Sequence, residues 1–366
     1  MFYIDIFKLL LNILYIPFKL LKRKRKILFL SRQSNKLSLE YSILIDSLKH
    51  KDDTIKIKVI TKKLEKNIPS LISNFFLLFN QMYHLATSQI VITDGYSIPI
   101  SVLNHNKGLI IIQLWHANGI IKKIGLQTLK KRSKRAKQLA LKMNMHKNYD
   151  YVISSSKKTT IAFSKAFGVK LNRILNYGTP TLDYIYYKKN NKSTEIKEKY
   201  NLKSNKKIIV YLPTYRKDPI NYNDIMQAID FDKYQLIIKK HPVDQSKIDP
   251  QNVIIIKKYI AEDILSIADF VVSDYSNVVF EALLSGKKTY CYIYDYEKYK
   301  KEFGFNIDLK KEFNKFSFSN FGDIMKEIEE NKYDFKESQK FLNKYIENFD
   351  GKATKRICNF ILNKLK

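Results

Sequence analysis

The sequence predicts an α/β protein with two Rossmann-like domains facing across a cleft. Short apolar runs alternate with helical stretches from Lys26 onward, and a second such series begins at Lys207. The apolar runs are too short to span a membrane, and strand–helix–strand order implies parallel crossovers. Because both halves show this alternation, we expect two doubly wound parallel sheets. The predicted divisions are an amphipathic and basic segment (1–25), an N-terminal domain (26–187), a C-terminal domain (199–345) and a C-terminal helix (346–366).

The individual elements follow from the apolar runs and from the residues that bound them. The polar segment 188–197 reads as a linker between the halves. Strands are predicted at 27–30, 55–60, 89–93, 108–113, 151–154, 173–176, 207–211, 235–239, 253–256, 270–272 and 289–293, and helices at 39–48, 70–86, 262–268 and 278–284.

The composition points to a polyanionic partner. The 366 residues carry 66 Lys and Arg against 35 Asp and Glu, a formal net charge of +31. Nucleic acid, anionic lipid and a phosphate polymer all fit such an excess, although codon bias towards Lys can contribute to it. The two cysteines lack metal-type spacing, so neither a disulfide framework nor a zinc site is indicated.

The first 21 residues predict a helix with a broad apolar face. Asp5, Lys8, Asn12 and Lys19 fall on one narrow stripe at about 100° per residue. A basic run follows, which favours a helix lying in the membrane surface on the cytoplasmic side over a signal peptide or a spanning helix. The alternative is a helix packed on the protein itself. The cations of the run are Lys22, Arg23, Lys24 and Arg25.

Residues 120–150 form a second basic segment. A solvated helix is the default interpretation of such a run, and binding of membrane or of a phosphate-rich acceptor is the alternative. Nucleic acid is disfavoured because no helix-turn-helix, RNA-binding aromatic pair or zinc finger is recognisable. The cations that cluster there are Lys130, Lys131, Arg132, Lys134 and Arg135.

Three features mark a candidate site. Ser276 and Asn277 stand where a strand ends and a helix begins, so they either bind phosphate or cap the helix. His116 and His241 each follow a strand, one in each half. A base in one half and anion-binding groups in the other would suit an acceptor hydroxyl that attacks a nucleotide diphosphate.

An ordered set of motifs then resembles a known family. The set comprises SRQSN at 31–35, QLWHANGIIKKIG at 113–125, PTYR at 213–216, KHP at 240–242, SDYS at 273–276 and DGKA at 350–353. It resembles the CDP-glycerol glycerophosphotransferases, which prime or polymerise teichoic acids and related capsular phosphopolymers and include ribitol-phosphate transferases. The resemblance covers nearly the whole chain from Lys26.

The resemblance implies a glycosyltransferase B type fold and a peripheral enzyme at the cytoplasmic membrane face. The N-terminal domain would take a lipid-linked acceptor, and the C-terminal domain would bind CDP-glycerol or CDP-ribitol. His116 would be the general base and His241 a second catalytic group that binds the pyrophosphate. The remaining substrate-binding positions would be Trp115, Gly119, Thr214, Arg216, Lys240, Ser273, Asp274, Ser276, Asn277 and, for the ribose, Glu281.

Two other functions remain open at this point. One is a glycosyltransferase of the same architecture that uses a nucleotide sugar, and the other is a non-catalytic membrane- or polyanion-binding protein. No obligatory cofactor is expected, because a pyrophosphate bound by histidine, arginine and a helix start needs no metal, although a stimulatory Mg²⁺ stays open. Glycerol or ribitol, primase or polymerase, the acceptor and the oligomeric state are not determined by the sequence.

Overall fold

The computed structural model describes residues 2–63, 68–115, 117–188, 192–216, 218–220, 222–241, 244, 246–248 and 252–365, with side chains omitted at 68–72 and 188. The chain divides into two compact units. The first unit comprises Met1–Ala117, Ile124–Asp183 and Glu347–Lys366, and the second comprises Asn118–Lys123 and Tyr184–Ile346.

The first unit contains a parallel six-stranded sheet in the order β2-β1-β3-β4-β5-β6. The order reverses direction between β1 and β3, as in doubly wound folds. Every residue of β1 is buried, because the strand has neighbours on both sides and helices on both faces. The strands are β1 (Lys26–Ser31), β2 (Lys56–Thr61), β3 (Ile90–Thr93), β4 (Ile110–Gln113), β5 (Tyr151–Ser154) and β6 (Ile174–Asn176).

The helices of the first unit cover this sheet, and one of them comes from far along the chain. α16 packs on α2, and its Ile357 and Ile361 lie in the same buried cluster as Phe29 of β1. The helices are α1 (Phe2–Lys19), α2 (Leu39–Lys51), α3 (Ile68–Thr87), α4 (Ile98–Val102), α5 (Lys134–Lys142), α6 (Lys157–Phe167), α7 (Pro180–Lys188, which extends into the second unit) and α16 (Ala353–Lys364), with 3₁₀ turns at Gly125–Lys131 and Leu171–Arg173.

The second unit contains another parallel six-stranded sheet, in the order β12-β11-β10-β7-β8-β9. Counted from β7, this is the dinucleotide-binding order, and its direction reverses between β7 and β10. The strands are β7 (Lys207–Tyr211), β8 (Tyr234–Ile238), β9 (Val253–Ile255), β10 (Phe270–Ser273), β11 (Lys288–Tyr292) and β12 (Ser317–Phe318). The helices are α8 (Ser193–Lys199), α9 (Asn223–Ala228), α10 (Ala261–Leu265), α11 (Val278–Leu284), α12 (Tyr296–Glu302), α13 (Leu309–Glu312), α14 (Phe321–Glu329) and α15 (Phe335–Tyr345), with a 3₁₀ turn at Asn314–Phe316.

The predicted α/β class with two parallel sheets is confirmed, and the strand boundaries agree to within two residues. The linker predicted at 188–197 is wrong from Ser193 onward, because α8 begins there. Its Ile196 is completely buried in the cluster that contains Ile208 and Val210 of β7. One apolar residue among lysines and glutamates gives too weak a period to predict a helix.

Helix α1 turns its polar stripe towards the first unit. The Lys8 ammonium donates to the carbonyl of Lys142 at 2.9 Å, and Asp5 pairs with the Lys142 ammonium. The amide of Asn12 donates to the Val102 carbonyl at 3.2 Å, and its oxygen accepts the Asn104 N–H at 2.7 Å. Three of the four residues of the predicted polar stripe therefore fix the helix to the rest of the first unit.

The outer side of α1 is apolar and exposed. Phe2 is 78% exposed and Leu9 is 60% exposed, and Leu20, just beyond the helix, reaches 83%. Phe75 and Phe76 on α3, which packs beside α1, are also more than half exposed. Within the described residues, no helix has the length and apolar character needed to cross a membrane.

Candidate active site

Two loops meet at the point where the second sheet reverses direction. β7 and β10 are adjacent and parallel, with Tyr211 opposite Val272. The Thr214 N–H, after β7, donates to both carboxylate oxygens of Asp274, after β10, at 3.0 and 3.1 Å. The Ser273 hydroxyl donates to the Leu212 carbonyl at 2.7 Å and is fully buried. Two motifs separated by about sixty residues in the sequence are thus joined, and Ser273 and Asp274 hold them together.

Arg216 lies in a buried ion-pair network. Its Nη1 is 2.6 Å from Asp274 Oδ2, and its Nε is 2.8 Å from Asp295 Oδ2. The rings of Tyr294, Tyr299 and Tyr275 surround the guanidinium at 4.9 to 5.8 Å. Only 7% of the Arg216 side chain is exposed, so it fixes the loops after β7, β10 and β11. That Arg216 also contacts pyrophosphate stays a prediction.

Lys122 supplies a cation that sequence reasoning did not select. Its ammonium donates to Thr214 Oγ1 at 2.8 Å and is half-buried. Burial lowers the pKa of Lys122, and Arg216 acts in the same direction, whereas Asp274 opposes the shift. Lys122 belongs to the segment at 113–125 that carries the resemblance, and its position in that motif was the available signal.

The segment 118–123 is held within the second unit by several hydrogen bonds. The Asn306 N–H donates to the Ile121 carbonyl at 2.7 Å, and the Lys123 N–H donates to the Gly304 carbonyl at 3.0 Å. From the other side, Asn277 Oδ1 accepts the Ile121 N–H at 3.3 Å. These contacts fix the backbone from which the Lys122 ammonium projects.

The first turn of α11 contributes to this attachment. Asn277 makes no side-chain cap to its own helix, so the capping interpretation is wrong for this residue. Glu281 Oε1 accepts the Asn118 amide N–H at 3.3 Å, and Ser276 Oγ accepts the Val278 N–H at 3.4 Å. The predicted contact of Glu281 with ribose stays a prediction.

Gly119 is required by packing. A Cβ added there would lie 2.2 Å from a ring carbon of Phe280. Phe280 is fully buried and stacks on Phe341, with ring centroids 5.5 Å apart. The segment 118–123 therefore passes directly over an aromatic ring.

His241 lies after β8 and is partly buried. Its ring centroid is 5.6 Å from that of Tyr215. Burial lowers the pKa of His241, Lys122 lowers it further, and Asp244 and Asp274 oppose the shift. The imidazole is therefore neutral at pH 7, with one donor and one acceptor nitrogen. The Lys240 ammonium donates to the Ser246 carbonyl.

The first unit holds the other predicted catalytic segment. Trp115 has a left-handed backbone with φ of 57°, its N–H donates to Gln113 Oε1 at 3.0 Å, and its ring contacts Phe167. A bulky residue with positive φ is uncommon and is often found at functional sites. His116 lies outside the described residues, so its predicted role as base stays a prediction.

The two basic segments differ in how they use their cations. Arg23 donates to the carbonyls of Lys107 and Asn106, and Arg25 pairs with Asp52 at 2.7 Å. The side chains of the other predicted cations are exposed: Lys22, Lys24, Lys130, Lys131, Arg132, Lys134 and Arg135.

Across the part of the chain that is described, no three His, Cys, Asp or Glu side chains are grouped to hold a metal ion. The expectation that no cofactor is obligatory stays a prediction.

Two Rossmann-like units, one with Lys122 and Arg216 beside its switch point, define a class of α/β proteins that bind nucleotide-linked ligands. Comparison with known proteins identifies the family within this class. Residues 13–363 match the family described as CDP-glycerol:poly(glycerophosphate) glycerophosphotransferase. The chain belongs to this family, so the predicted resemblance is confirmed, as is the enzyme class, a CDP-alditol phosphotransferase.

Individual relatives agree with this assignment. The teichoic acid glycerol-phosphate primase of Bacillus subtilis is 30% identical over 315 residues, 82% of this chain and 78% of the relative. The teichoic acid ribitol-phosphate primase of Bacillus spizizenii is 27% identical over 361 residues, 92% of this chain and 90% of the relative. The wall teichoic acid polymerase TagF has the same fold, with a TM-score of 0.74 at 19% identity over 100% of this chain and 97% of that one.

Proposed function

We propose that this enzyme transfers glycerol phosphate or ribitol phosphate from CDP-glycerol or CDP-ribitol to a hydroxyl of a membrane-linked teichoic-acid-like or capsular acceptor. The acceptor oxygen attacks the phosphorus that bears the alditol, the bond from that phosphorus to the bridging oxygen breaks, and CMP leaves. His116 takes the proton of the attacking hydroxyl, and a histidine with a pKa near 6.5 suits this role at neutral pH.

The observation that carries the donor assignment is the group of Lys122, Thr214 and His241 beside the switch point of the second sheet. Negative charge builds on the departing phosphate as CMP leaves, and the Lys122 ammonium would stabilise that charge while the neutral His241 ring offers a hydrogen-bond donor. The Lys122 ammonium has three donors and uses one on Thr214. Arg216 acts by holding the loops in place, since two carboxylates already bind its guanidinium.

The proposed membrane attachment rests on the exposed apolar residues on the outer side of α1 and α3. A helix that anchors its polar stripe on the protein and leaves its apolar side outward gains free energy when that side enters a lipid interface, at roughly 25 cal/mol per Å². The neighbouring Lys22 and Lys24 are exposed and attract anionic headgroups. We propose peripheral attachment to the cytoplasmic side of the cell membrane.

The test is CMP release by purified protein from CDP-glycerol and, in parallel, from CDP-ribitol, with a lipid-linked acceptor. Wild type is compared with His116→Ala and His241→Ala, and with His50→Ala as a control at an exposed position on α2. We expect CMP from one donor, lost in the first two variants and retained in the third. Consumption of a nucleotide sugar without CMP from either CDP-alditol would instead favour the glycosyltransferase.

A further inference from the structure

The first unit contains a cavity that the donor site does not use. Its volume is about 530 Å³, within the usual range of small-molecule sites. The 3₁₀ turn at 125–131, the end of α5, the loop at 143–150 and the segment after α6 supply its lining. Three of these elements belong to the basic segment 120–150, for which the sequence left solvation and anion binding as alternatives.

One part of the lining is apolar. Leu126 and Leu141 come from the basic segment, and Phe167 and Val169 come from the end of α6. Leu141 is 52% exposed, so part of this apolar lining is open to a ligand. Phe167 also contacts Trp115, the only tryptophan of the chain. The indole ring therefore packs against a residue that lines the cavity.

The other part of the lining is cationic. Lys147, Lys170 and Arg173 are exposed at the cavity. The one acid among its lining residues is Asp150, and its Oδ2 accepts the Ile111 N–H at 2.8 Å. Three cations against one carboxylate that is already hydrogen-bonded favour an anion, and the leucine and phenylalanine side favours an anion with an apolar portion.

The cavity adjoins the helix proposed to lie in the membrane. Lys142 directly follows the cavity residue Leu141, and its carbonyl accepts the Lys8 ammonium of α1 at 2.9 Å. Lys142 also pairs with Asp5 of α1. An amphiphile whose chain lies in the lipid layer beside α1 can therefore place its head in the cavity.

We propose that this cavity binds the phosphate-bearing head of a membrane lipid, with the phosphate at Lys147, Lys170 and Arg173 and the first carbons of the chain on Leu126 and Leu141. The inference rests on the membrane attachment in the proposed function. It gives the acceptor-handling unit a site that holds the lipid end of its substrate, separate from the hydroxyl that reacts.

Tryptophan fluorescence of the full chain, without donor, tests this site. The probe is a short-chain alkyl phosphate below its micelle concentration, compared with inorganic phosphate and with the corresponding alkyl alcohol. We expect the alkyl phosphate to change the emission saturably and to bind at least tenfold more tightly than either comparison compound. Equal affinity for the alcohol, or for inorganic phosphate, would overturn the proposal.

Charge-reversal variants distinguish binding in the cavity from general electrostatic attraction of the alkyl phosphate to a basic protein. Lys147→Glu with Lys170→Glu should weaken alkyl phosphate binding at least tenfold. Lys157→Glu with Lys165→Glu, which makes the same charge change at exposed positions of α6 outside the lining, should stay within twofold of wild type. Equal weakening in both double variants would contradict a local site.

Steady-state kinetics show whether the cavity binds the lipid end of the acceptor or an ordinary lipid of the bilayer. The cavity double variant should raise KM for a lipid-linked acceptor at least tenfold and leave CMP release with a soluble acceptor unchanged. An unchanged KM for the lipid-linked acceptor would overturn the assignment to that substrate. Absence of CMP release from wild type would refute the proposed reaction, while the fluorescence titration would still test the cavity.

Discussion

Replacing Gly119 by alanine should damage stability and activity together. The added Cβ would lie 2.2, 2.4 and 3.0 Å from three ring atoms of Phe280. The nearest of these is about 1.3 Å inside the ~3.5 Å at which two carbons attract. Phe280 cannot retreat, because it is fully buried and stacked on Phe341. The segment 118–123 must move instead, and overpacking of this kind costs about 1–3 kcal/mol in the free energy of unfolding.

The same displacement reaches the donor site. Movement of the segment lengthens the bonds from Asn118 to Glu281 and from Ile121 to Asn277, and it withdraws Lys122 from Thr214. A hydrogen bond to a charged group contributes about 1.5–3 kcal/mol, so kcat/KM for CMP release should fall roughly tenfold to a hundredfold.

Urea unfolding and CMP release measure the two effects on the same preparations. Phe280→Leu removes the ring, so Gly119→Ala should cost less in that background, with a coupling energy of about 1–2 kcal/mol. Gly286→Ala is the control, because its φ of 69° strains the backbone while no atom lies within 4 Å of the added Cβ. It should lower stability without changing kcat/KM. Additive costs of the two substitutions, or wild-type activity in Gly119→Ala, would refute the steric argument.

Three further outcomes are expected. Asp295→Asn should lower the free energy of unfolding, measured in urea, by about 3 kcal/mol, because it removes one of the two carboxylates that pair with the buried Arg216 guanidinium. Asp230→Asn, at the exposed pair with Lys233, should leave that free energy nearly unchanged. Burial lowers the pKa of His105 to about 4 from 6.5. The unfolded chain therefore binds more protons between these values, stability should fall as pH drops from 6.5 to 4, and His105→Gln should flatten that slope; an unchanged slope would contradict this. Leu9→Glu on the outer side of α1 should reduce flotation with anionic vesicles at least fivefold, and Ile161→Glu, at a similarly exposed position on α6, should not; equal losses would count against a specific membrane face.

Eleven of the twelve strands in the described residues were predictable, because each contains a short apolar run and a buried parallel strand needs little else, whereas the two-residue β12 (Ser317–Phe318) was missed. The loops after β7 and β10 were also predictable as a site, because parallel strands bring their carboxyl ends to one edge. Thr214 and Asp274 lie on these two loops and were predicted from the family resemblance, and the structure brings them into direct contact.

The chemistry inside that site was less accessible to sequence reasoning. Arg216 was selected as a ligand for phosphate, but its two carboxylate partners come from loops 58 and 79 residues away. Asp295 follows β11 just as Asp274 follows β10. An acidic residue shortly after a buried strand could therefore have marked both positions, but only Asp274 was selected. Lys122 was overlooked because local sequence does not reveal that 118–123 joins the second unit.

The return of residues 347–366 to the first unit has a consequence for biosynthesis. Ile357, Cys358 and Ile361 of α16 complete the core that Phe29 and Tyr41 begin, so the first sheet cannot be fully covered until those residues leave the ribosome. At ~5–20 residues per second, the nascent first half waits on the order of 10–30 s with an open apolar surface while residues 184–346 are made. This interval exposes the chain to chaperones and proteases, and it means that the first half expressed alone lacks part of its own interior.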